Sequence, residues 1–149
     1  MEIWKPHVTV ASVLEQDGRF LLVEEEADGR VVYNQPAGHL EEDESPLAGA
    51  VRETREETRY DFMPEAVLGV YRWRKPASDI TYLRFAFTGR ITGHDPARSL
   101  DAGILRAVWF TREEVAALGS ALRSPLVLRC IDDYIAGKRY PLELLTEMT

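Results

Sequence analysis

The segment ETREET, residues 53–58, places three glutamates at helical spacing. On a helix, positions i, i+3 and i+4 share a face, so Glu53, Glu56 and Glu57 are predicted to converge along one edge. With nothing bound, each like-charged pair destabilises the helix by about 0.2–0.5 kcal/mol. Hard divalent cations take oxygen ligands, and Mg²⁺ binds through a few carboxylates together with substrate phosphates. The cluster suits Mg²⁺, and a solvated acidic helix face is the alternative.

The helix that carries these acids is predicted over residues 46–58. Ser45-Pro46 supplies an N-cap followed by a proline at the first helical position, where its missing N–H has no consequence. The helix follows a short strand, VVYNQ (31–35), which Pro36 should end just before Gly38. Further upstream, HVTVASVL (7–14) and RFLLVEEE (19–26) are predicted to form a hairpin around Asp17-Gly18.

The second half of the chain adds more strands and two helices. Strands are predicted at AVLGVYRWR (66–74), TYLRFAFTGRI (81–91) and ILRAVWF (104–110). Thr111 and Glu114 form a capping box that begins a short helix, and a last helix is predicted from Ser124-Pro125 to Gly137. This order predicts an α/β (α+β) fold with a mixed sheet between helices, in one domain over residues 1–149.

Composition restricts the class of protein and its partners. The net charge of −7 provides no basic surface for nucleic acid, and an acidic protein repels phosphates unless cations intervene. The single Cys130 cannot form an internal disulfide and is predicted to be a small core residue in an apolar helix. No apolar run approaches the length of a membrane span. We therefore expect a soluble cytoplasmic protein that binds neither nucleic acid nor membranes.

Six residues of the acidic segment stand at the fixed intervals of the Nudix box, G-x5-E-x7-R-E-U-x-E-E-x-G-U, in which U is a bulky apolar residue. The chain therefore resembles the Nudix hydrolase superfamily over nearly its whole length. This implies an α/β/α sandwich and metal-dependent hydrolysis of a diphosphate linkage by water attack at phosphorus. The matching residues are Gly38, Glu44, Arg52, Glu53, Glu56 and Glu57.

Five further segments are similar to a subgroup of this superfamily. The subgroup comprises the Nudix phosphatases that act on nucleoside di- and triphosphates and on thiamine pyrophosphate or its pyrimidine precursor. The resemblance implies a small nucleotide or pyrophosphate substrate, and it leaves open whether the protein is a monomer or a homodimer. The segments are KPHVTVA (5–11), NQPAGHLE (34–41), YLRF (82–85), RSPLV (123–127) and GKRYPLE (137–143).

The resemblance also implies roles for the matching residues. Glu53, Glu56 and Glu57 would hold one to three Mg²⁺ or Mn²⁺ ions, with the Gly38 carbonyl as a further ligand. Glu53 is also a candidate general base. Arg52 would orient the carboxylates, and Glu44 would support the loop and its helix. The expected catalytic residues are thus Arg52, Glu53, Glu56 and Glu57.

Other residues are candidates for substrate contact. Family members often use one more acid in a loop before a late strand, and Asp101 occupies a comparable place. His39 follows Gly38 and could approach the phosphates, although a structural role is the alternative. Arg84 interrupts an apolar strand, where an inward guanidinium would need an anion and an edge position would leave it solvated. Trp73 and Tyr82 could stack on a heteroaromatic ring or belong to the core.

Two positions depart from the box, because Thr54 stands at an apolar position and Arg59 at the glycine. We predict that Arg59 is strained in a left-handed helix end and that the Thr54 hydroxyl bonds to the carbonyl of Ala50. Neither departure removes a carboxylate. The alternative function is a Nudix-like domain with weakened turnover that serves as a ligand-binding or sensor module.

Overall fold

The computed structural model describes residues 1–148, and its eight strands form two sheets. The first sheet has the order β5 (Ala37–His39), β1 (His7–Val13), β7 (Thr81–His94) and β6 (Tyr60–Arg74). It is mixed, because β1 runs parallel to β7 while the other pairs are antiparallel. In the second sheet, β3 (Arg19–Ala27) pairs antiparallel with β2 (Glu15–Gln16), β4 (Arg30–Asn34) and β8 (Ile104–Thr111).

Three α-helices flank the strands, namely α1 (Pro46–Thr58), α2 (Arg112–Ala117) and α3 (Leu126–Ile135). Short 3₁₀ turns follow at Gly119–Ala121 and Leu142–Leu144. Helix α1 begins as predicted, since the Ser45 hydroxyl accepts a hydrogen bond from the Ala48 N–H at 3.1 Å. Helix α2 has the predicted capping box, and the last helix is followed by Gly137 at φ +84°.

Alternating strand residues divide the core into two layers. On β7, Ala86 belongs to a cluster with Cys130 and Ile131 of α3, whereas the next residue, Phe87, packs with Ala50 of α1. This follows from the period of two along a strand. Both sheets contribute residues to each cluster, so together they form the central layer between α1 and α3. The predicted α/β/α sandwich with a mixed sheet is confirmed, and Cys130 is buried as predicted.

The predicted first hairpin was wrong in its pairing. The turn at Asp17 (φ +52°) and Gly18 (φ +79°) joins only the two-residue strand β2 to β3. Strand β1 instead lies inside the first sheet, between β5 and β7. Its run of buried residues from Val10 to Val13 suits a central strand covered on both faces, which alternation alone does not reveal.

The long strands β6 and β7 extend beyond their predicted bounds. β6 begins at Tyr60 and β7 continues to His94, with register shifts on β6 that include one between Pro64 and Ala66. A proline is tolerated at such an irregularity because it has no N–H to donate. The predicted single domain extends to Thr149, which lies outside the described residues. Within residues 1–148, no helix is both long and apolar enough to cross a membrane.

Candidate active site

Strand β5 brings the backbone of Gly38 against the side chain of Glu53 on α1. A Cβ atom at Gly38 would lie 2.2 Å from Glu53 Oε1, far inside contact distance. Only glycine therefore allows the strand and the carboxylate to approach so closely. The carboxylate of Glu53 is held at the strand edge, in a residue that is only 8% exposed.

Arg52 links the loop before α1 to two of the glutamates. Its guanidinium forms a fork with Glu44, with Nε to Oε2 at 2.9 Å and Nη2 to Oε1 at 2.7 Å. Nη1 donates to Glu53 Oε1 at 2.8 Å and to Glu56 Oε2 at 3.1 Å. Glu44 also accepts from the Glu41 N–H at 2.9 Å, which ties down the loop. One cation thus fixes the orientation of several carboxylates.

A third acid joins the glutamates from a distant part of the chain. Carboxylate oxygens of Glu53, Glu56 and Asp101 all lie within 4.8 Å of one another. Asp101 belongs to the loop between β7 and β8, and its N–H donates to the Glu56 carbonyl at 3.1 Å. Burial, followed by the charge of Asp101, raises the pKa of Glu56. The three carboxylates therefore repel one another in the metal-free protein.

Glu57 lies beside this trio and is held differently. Its Oε1 accepts a hydrogen bond from the Ala37 N–H at 2.9 Å, and the residue is 8% exposed. Burial raises the pKa of Glu57 to about 9, and Glu53 adds to the shift by repulsion. Burial also raises the pKa of Glu53. Both carboxyls are therefore harder to ionise than an exposed glutamate.

The acidic group has the ligand chemistry of a hard divalent cation. All of its donors are oxygens, and Arg52 is the cation that forms ion pairs with Glu53 and Glu56. A divalent cation would offset the repulsion that raises the pKa values of these carboxyls. The residues fit a metal ion, and the structure brings Gly38, Glu53, Glu56 and Asp101 together, with Glu57 adjacent on the same helix.

A cleft of about 320 Å³ adjoins the acidic group at Gly38 and Glu57. Its walls include four cationic side chains, an aromatic pair and His39. The rings of Trp73 and Tyr82 stack on each other at 5.9 Å and 16°, at the cleft and not in the core. Burial lowers the pKa of His39, whose Nε2 lies 3.1 Å from His7 Nδ1. The cations are Arg30, Lys75, Arg84 and Arg123.

Arg84 is the buried member of this set, at 4% exposure, so the solvated alternative was wrong. Its guanidinium donates to two neutral amides, to Gln35 Oε1 at 2.8 Å and to Asn34 Oδ1 at 3.1 Å. Within residues 1–148 it forms no ion pair with a carboxylate, and its Nε has no hydrogen-bond partner. A buried cation without a counter-charge favours an anionic or strongly electron-rich ligand.

A family model of the NUDIX domain matches residues 4–129. The chain belongs to the Nudix hydrolase family. The Nudix enzyme Phosphatase NudJ of Escherichia coli strain K12 is 41% identical over 143 residues, which are 96% of this chain and 92% of NudJ. This chain is accordingly a Nudix pyrophosphohydrolase.

Solved Nudix structures share its fold. A NUDIX hydrolase from Nitrosomonas europaea is 50% identical with a TM-score of 0.94, over 97% of this chain and 98% of its own. The NUDIX domain of Shewanella oneidensis NrtR, solved with ADP ribose, is 17% identical with a TM-score of 0.71 over 91% of this chain and 90% of its own. The second likeness concerns the fold alone.

Both departures from the Nudix box find partners in the structure. Thr54 donates to the Ala50 carbonyl at 2.8 Å, as predicted, and its Oγ1 also lies 2.7 Å from Ser12 Oγ. Arg59 adopts the predicted left-handed conformation with φ +67°. Its side chain in addition donates from Nε to the Arg98 carbonyl at 2.5 Å. Both residues therefore form hydrogen bonds of their own, while Arg59 keeps a strained left-handed backbone at the end of α1.

Sequence reasoning assigned no role to Asn34 and Gln35, although they lie in a segment that resembles the Nudix phosphatases. Gln35 bridges Arg84 and α3, because its Nε2 donates to the Val127 carbonyl at 2.7 Å. The sequence did contain two relevant features, namely adjacent amide side chains at the end of one strand and an arginine within an apolar strand elsewhere. Relating them requires knowing that β4 and β7 approach each other, which no local pattern specifies.

Proposed function

We propose that this Nudix enzyme is a divalent-cation-dependent hydrolase of small-molecule diphosphates. Its preferred substrates on this proposal are nucleoside di- and triphosphates or thiamine-type pyrophosphates. The observation that carries the proposal is the group of carboxylates of Glu53, Glu56 and Asp101 within 4.8 Å of one another, beside a cleft with cationic walls. An acidic protein of net charge −7 needs such cations to hold a phosphate ligand.

In this proposal the acids hold Mg²⁺, or Mn²⁺ in its place. Glu53, Glu56 and Glu57 supply carboxylate ligands, and the Gly38 carbonyl and Asp101 complete the set. When bound, the cations neutralise phosphate charge and lower the pKa of a coordinated water. The chain itself orients the carboxylates through Arg52, whose hydrogen bonds to Glu53 and Glu56 are 2.8 and 3.1 Å long.

Glu53 is the proposed general base of the reaction. Burial raises the pKa of this carboxyl, which strengthens its affinity for a proton from the attacking water. Its position between Arg52 and the backbone of Gly38 restricts its rotation, so the accepting oxygen is fixed before substrate binds. The proton would reside on the Glu53 carboxylate while the phosphoanhydride bond breaks.

The cleft is the proposed site for the rest of the substrate. Arg84 would donate to a phosphate oxygen or another electron-rich oxygen, since its present partners are neutral. Trp73 and Tyr82, at the cleft wall, would contact a heteroaromatic ring. His39 lies at the same wall, next to Gly38, where it would approach the phosphates. Burial lowers the pKa of His39, which favours a neutral ring.

The chemical screen for this proposal is phosphate release with Mg²⁺ and an excess of each candidate compound. The panel contains nucleoside di- and triphosphates, dinucleotides, sugar nucleotides and thiamine pyrophosphate. We expect release from the first group or the last, no turnover in excess chelator, and poor support by Ca²⁺, which accepts looser geometry than Mg²⁺. Full turnover in chelator would refute the metal requirement.

We further propose that the protein acts in the cytoplasm, where its single buried cysteine remains reduced. Its partners would be small molecules, with neither nucleic acid nor membrane among them. One domain over residues 1–149, as a monomer or a homodimer, remains our prediction for the assembly.

A further inference from the structure

Arg59, which occupies the glycine position of the Nudix box, connects the end of α1 to the loop that carries Asp101. The Arg59 side chain reaches across to this loop, and its Nε donates to the Arg98 carbonyl at 2.5 Å. The Arg59 carbonyl accepts hydrogen bonds from the Asp95 N–H at 3.1 Å and from Arg98 Nη1 at 3.4 Å. The loop therefore meets both the backbone and the side chain of Arg59.

A second set of contacts holds the same loop through Asp61. Both oxygens of Asp61 accept from the Arg98 guanidinium at 3.0 Å, in a bidentate pair. Arg55, on the last turn of α1, donates to Asp61 Oδ1 at 2.7 Å. The Arg98 guanidinium lowers the pKa of Asp61, which keeps the carboxylate charged. The loop is thus bound to the helix end at several points, although Asp61 and Arg98 are only partly buried and Arg55 is exposed.

The loop held by these contacts places Asp101 beside Glu53 and Glu56. The Asp101 N–H donates to the Glu56 carbonyl at 3.1 Å, three residues from Arg59 on the chain. Glu53, Glu56 and Asp101 repel one another, and Asp101 itself is exposed. A loop with no fastening would relax away from the two glutamates in the metal-free protein. Hydrogen bonds on the far side of the loop oppose that relaxation.

We propose that Arg59 is a positioning residue that holds the loop of residues 95–103 so that Asp101 completes the cation site. The inference rests on the proposed function, because it assigns Asp101 to that site. Glycine at this position would relieve the left-handed strain but could not donate to the Arg98 carbonyl. The side chain of Arg59 therefore acts on the acidic group through the loop, without touching it.

Hydrogen exchange of the metal-free protein tests the fastening directly. Arg59→Gly should leave the fold intact, since glycine suits φ +67°. We expect the amides of residues 97–101 to exchange roughly three to ten times faster, the range for one lost hydrogen bond. The matched control is Asp17→Gly, which replaces another left-handed residue, at φ +52° in the β2–β3 turn. Unchanged exchange in the loop of Arg59→Gly would overturn the proposal.

Mn²⁺ binding, measured by titration calorimetry, shows whether the contact between Arg59 and the loop affects the cation site through Asp101. We expect Arg59→Gly to weaken Mn²⁺ binding at least about threefold and Asp17→Gly to leave it unchanged. In an Asp101→Asn background, Arg59→Gly should cause no further loss. Equal losses in the two backgrounds would contradict a route through Asp101. If the parent binds no Mn²⁺, the proposed function fails, while the exchange experiment still decides whether Arg59 holds the loop.

Discussion

At the scale of single residues, burial raises the pKa of the Glu57 carboxyl and so makes the stability of the protein depend on pH. Glu57 has an ordinary pKa of 4.5, and burial raises it to about 9 in the folded protein. The folded state therefore binds this proton more tightly than the unfolded state. The resulting stability is fully present below about pH 4.5 and is lost as the pH rises through about 9. The metal-free enzyme therefore loses stability as the pH rises, unless a bound cation takes the place of the proton.

We therefore expect the metal-free protein to lose stability as the pH rises between about 5 and about 9. Glu57→Gln cannot ionise, and its carbonyl oxygen can still accept from the Ala37 N–H. The variant should lose less stability over the same interval, because the large shift of Glu57 is gone. The raised pKa values of Glu53 and Glu56 still lower the stability as the pH rises, while the lowered pKa of His39 acts in the opposite direction. Urea unfolding in excess chelator measures both profiles. Parallel profiles would show that Glu57 does not carry the dependence.

Gly38→Ala should damage the site more than the fold. The added Cβ would meet the Glu53 carboxylate at 2.2 Å, and this side-chain end can be displaced without moving the backbone. Displacing that carboxylate should lower phosphate release at least about tenfold, with a change in melting temperature of only a few degrees. Gly89→Ala is the contrast, because its Cβ would meet the Met63 carbonyl at 1.9 Å. There a backbone must move, so thermal melts should show a much larger loss of stability.

At the scale of elements, α1 is attached to the first sheet by a polar contact inside an apolar interface. Thr54 and Ser12 are both fully buried, at 0% exposure, and their hydroxyls lie 2.7 Å apart. Because Thr54 donates to Ala50, Ser12 must be the donor in this pair. The threonine at an apolar box position is thus matched by a serine on β1.

We expect Thr54→Val to lower the free energy of unfolding by about 1–3 kcal/mol, since it leaves the Ser12 hydroxyl unpaired. The double variant Ser12→Ala, Thr54→Val should lose less than the sum of the two single variants, because both partners are then apolar. Urea unfolding of the four proteins completes the cycle. Additive losses would mean that the two hydroxyls do not interact.

The elements that were predictable from sequence are those with local signals. The bounds of α1 follow from Ser45-Pro46 and the helical spacing of the glutamates, and both are sequence-adjacent features. The pairing of β1 with β7 is set by residues more than 70 positions apart, so the predicted hairpin failed. Asp101 was a candidate only by family resemblance. Its approach to Glu53 and Glu56 depends on the loop contacts of Arg59 and Arg98, which no spacing rule contains.

At the scale of the whole molecule, the two sheets and α3 together enclose the cleft. Asn34 ends β4 of the second sheet, Arg84 lies on β7 of the first, and Gln35 donates to Val127 of α3. The assembled fold thus buries a positive charge on neutral hydrogen-bond partners, which favours an anionic or electron-rich ligand.

Asn34→Asp tests the use of that charge. The new carboxylate keeps the acceptor that faces Arg84 Nη2, now 3.1 Å from Asn34 Oδ1, and it adds a counter-charge. We expect the stability to be retained, because a buried cation gains a partner. The KM should rise at least about tenfold with a smaller change in kcat, since the lost contact would weaken binding of the substrate and of the transition state alike. An unchanged KM would exclude Arg84 from substrate binding.

The central claim is that the acids of α1 hold a cation for chemistry on phosphate, and phosphate release by Glu57→Gln tests it most directly. Losing one charged ligand should reduce release at saturating Mg²⁺ by at least roughly a hundredfold, about 2.7 kcal/mol of transition-state stabilisation. Above about pH 4.5 the metal-free variant should melt no lower than the metal-free parent, because glutamine is neutral without the proton that the buried Glu57 carboxyl must take up on folding. Release close to the parent's would contradict the claim and leave α1 as an ordinary acidic surface.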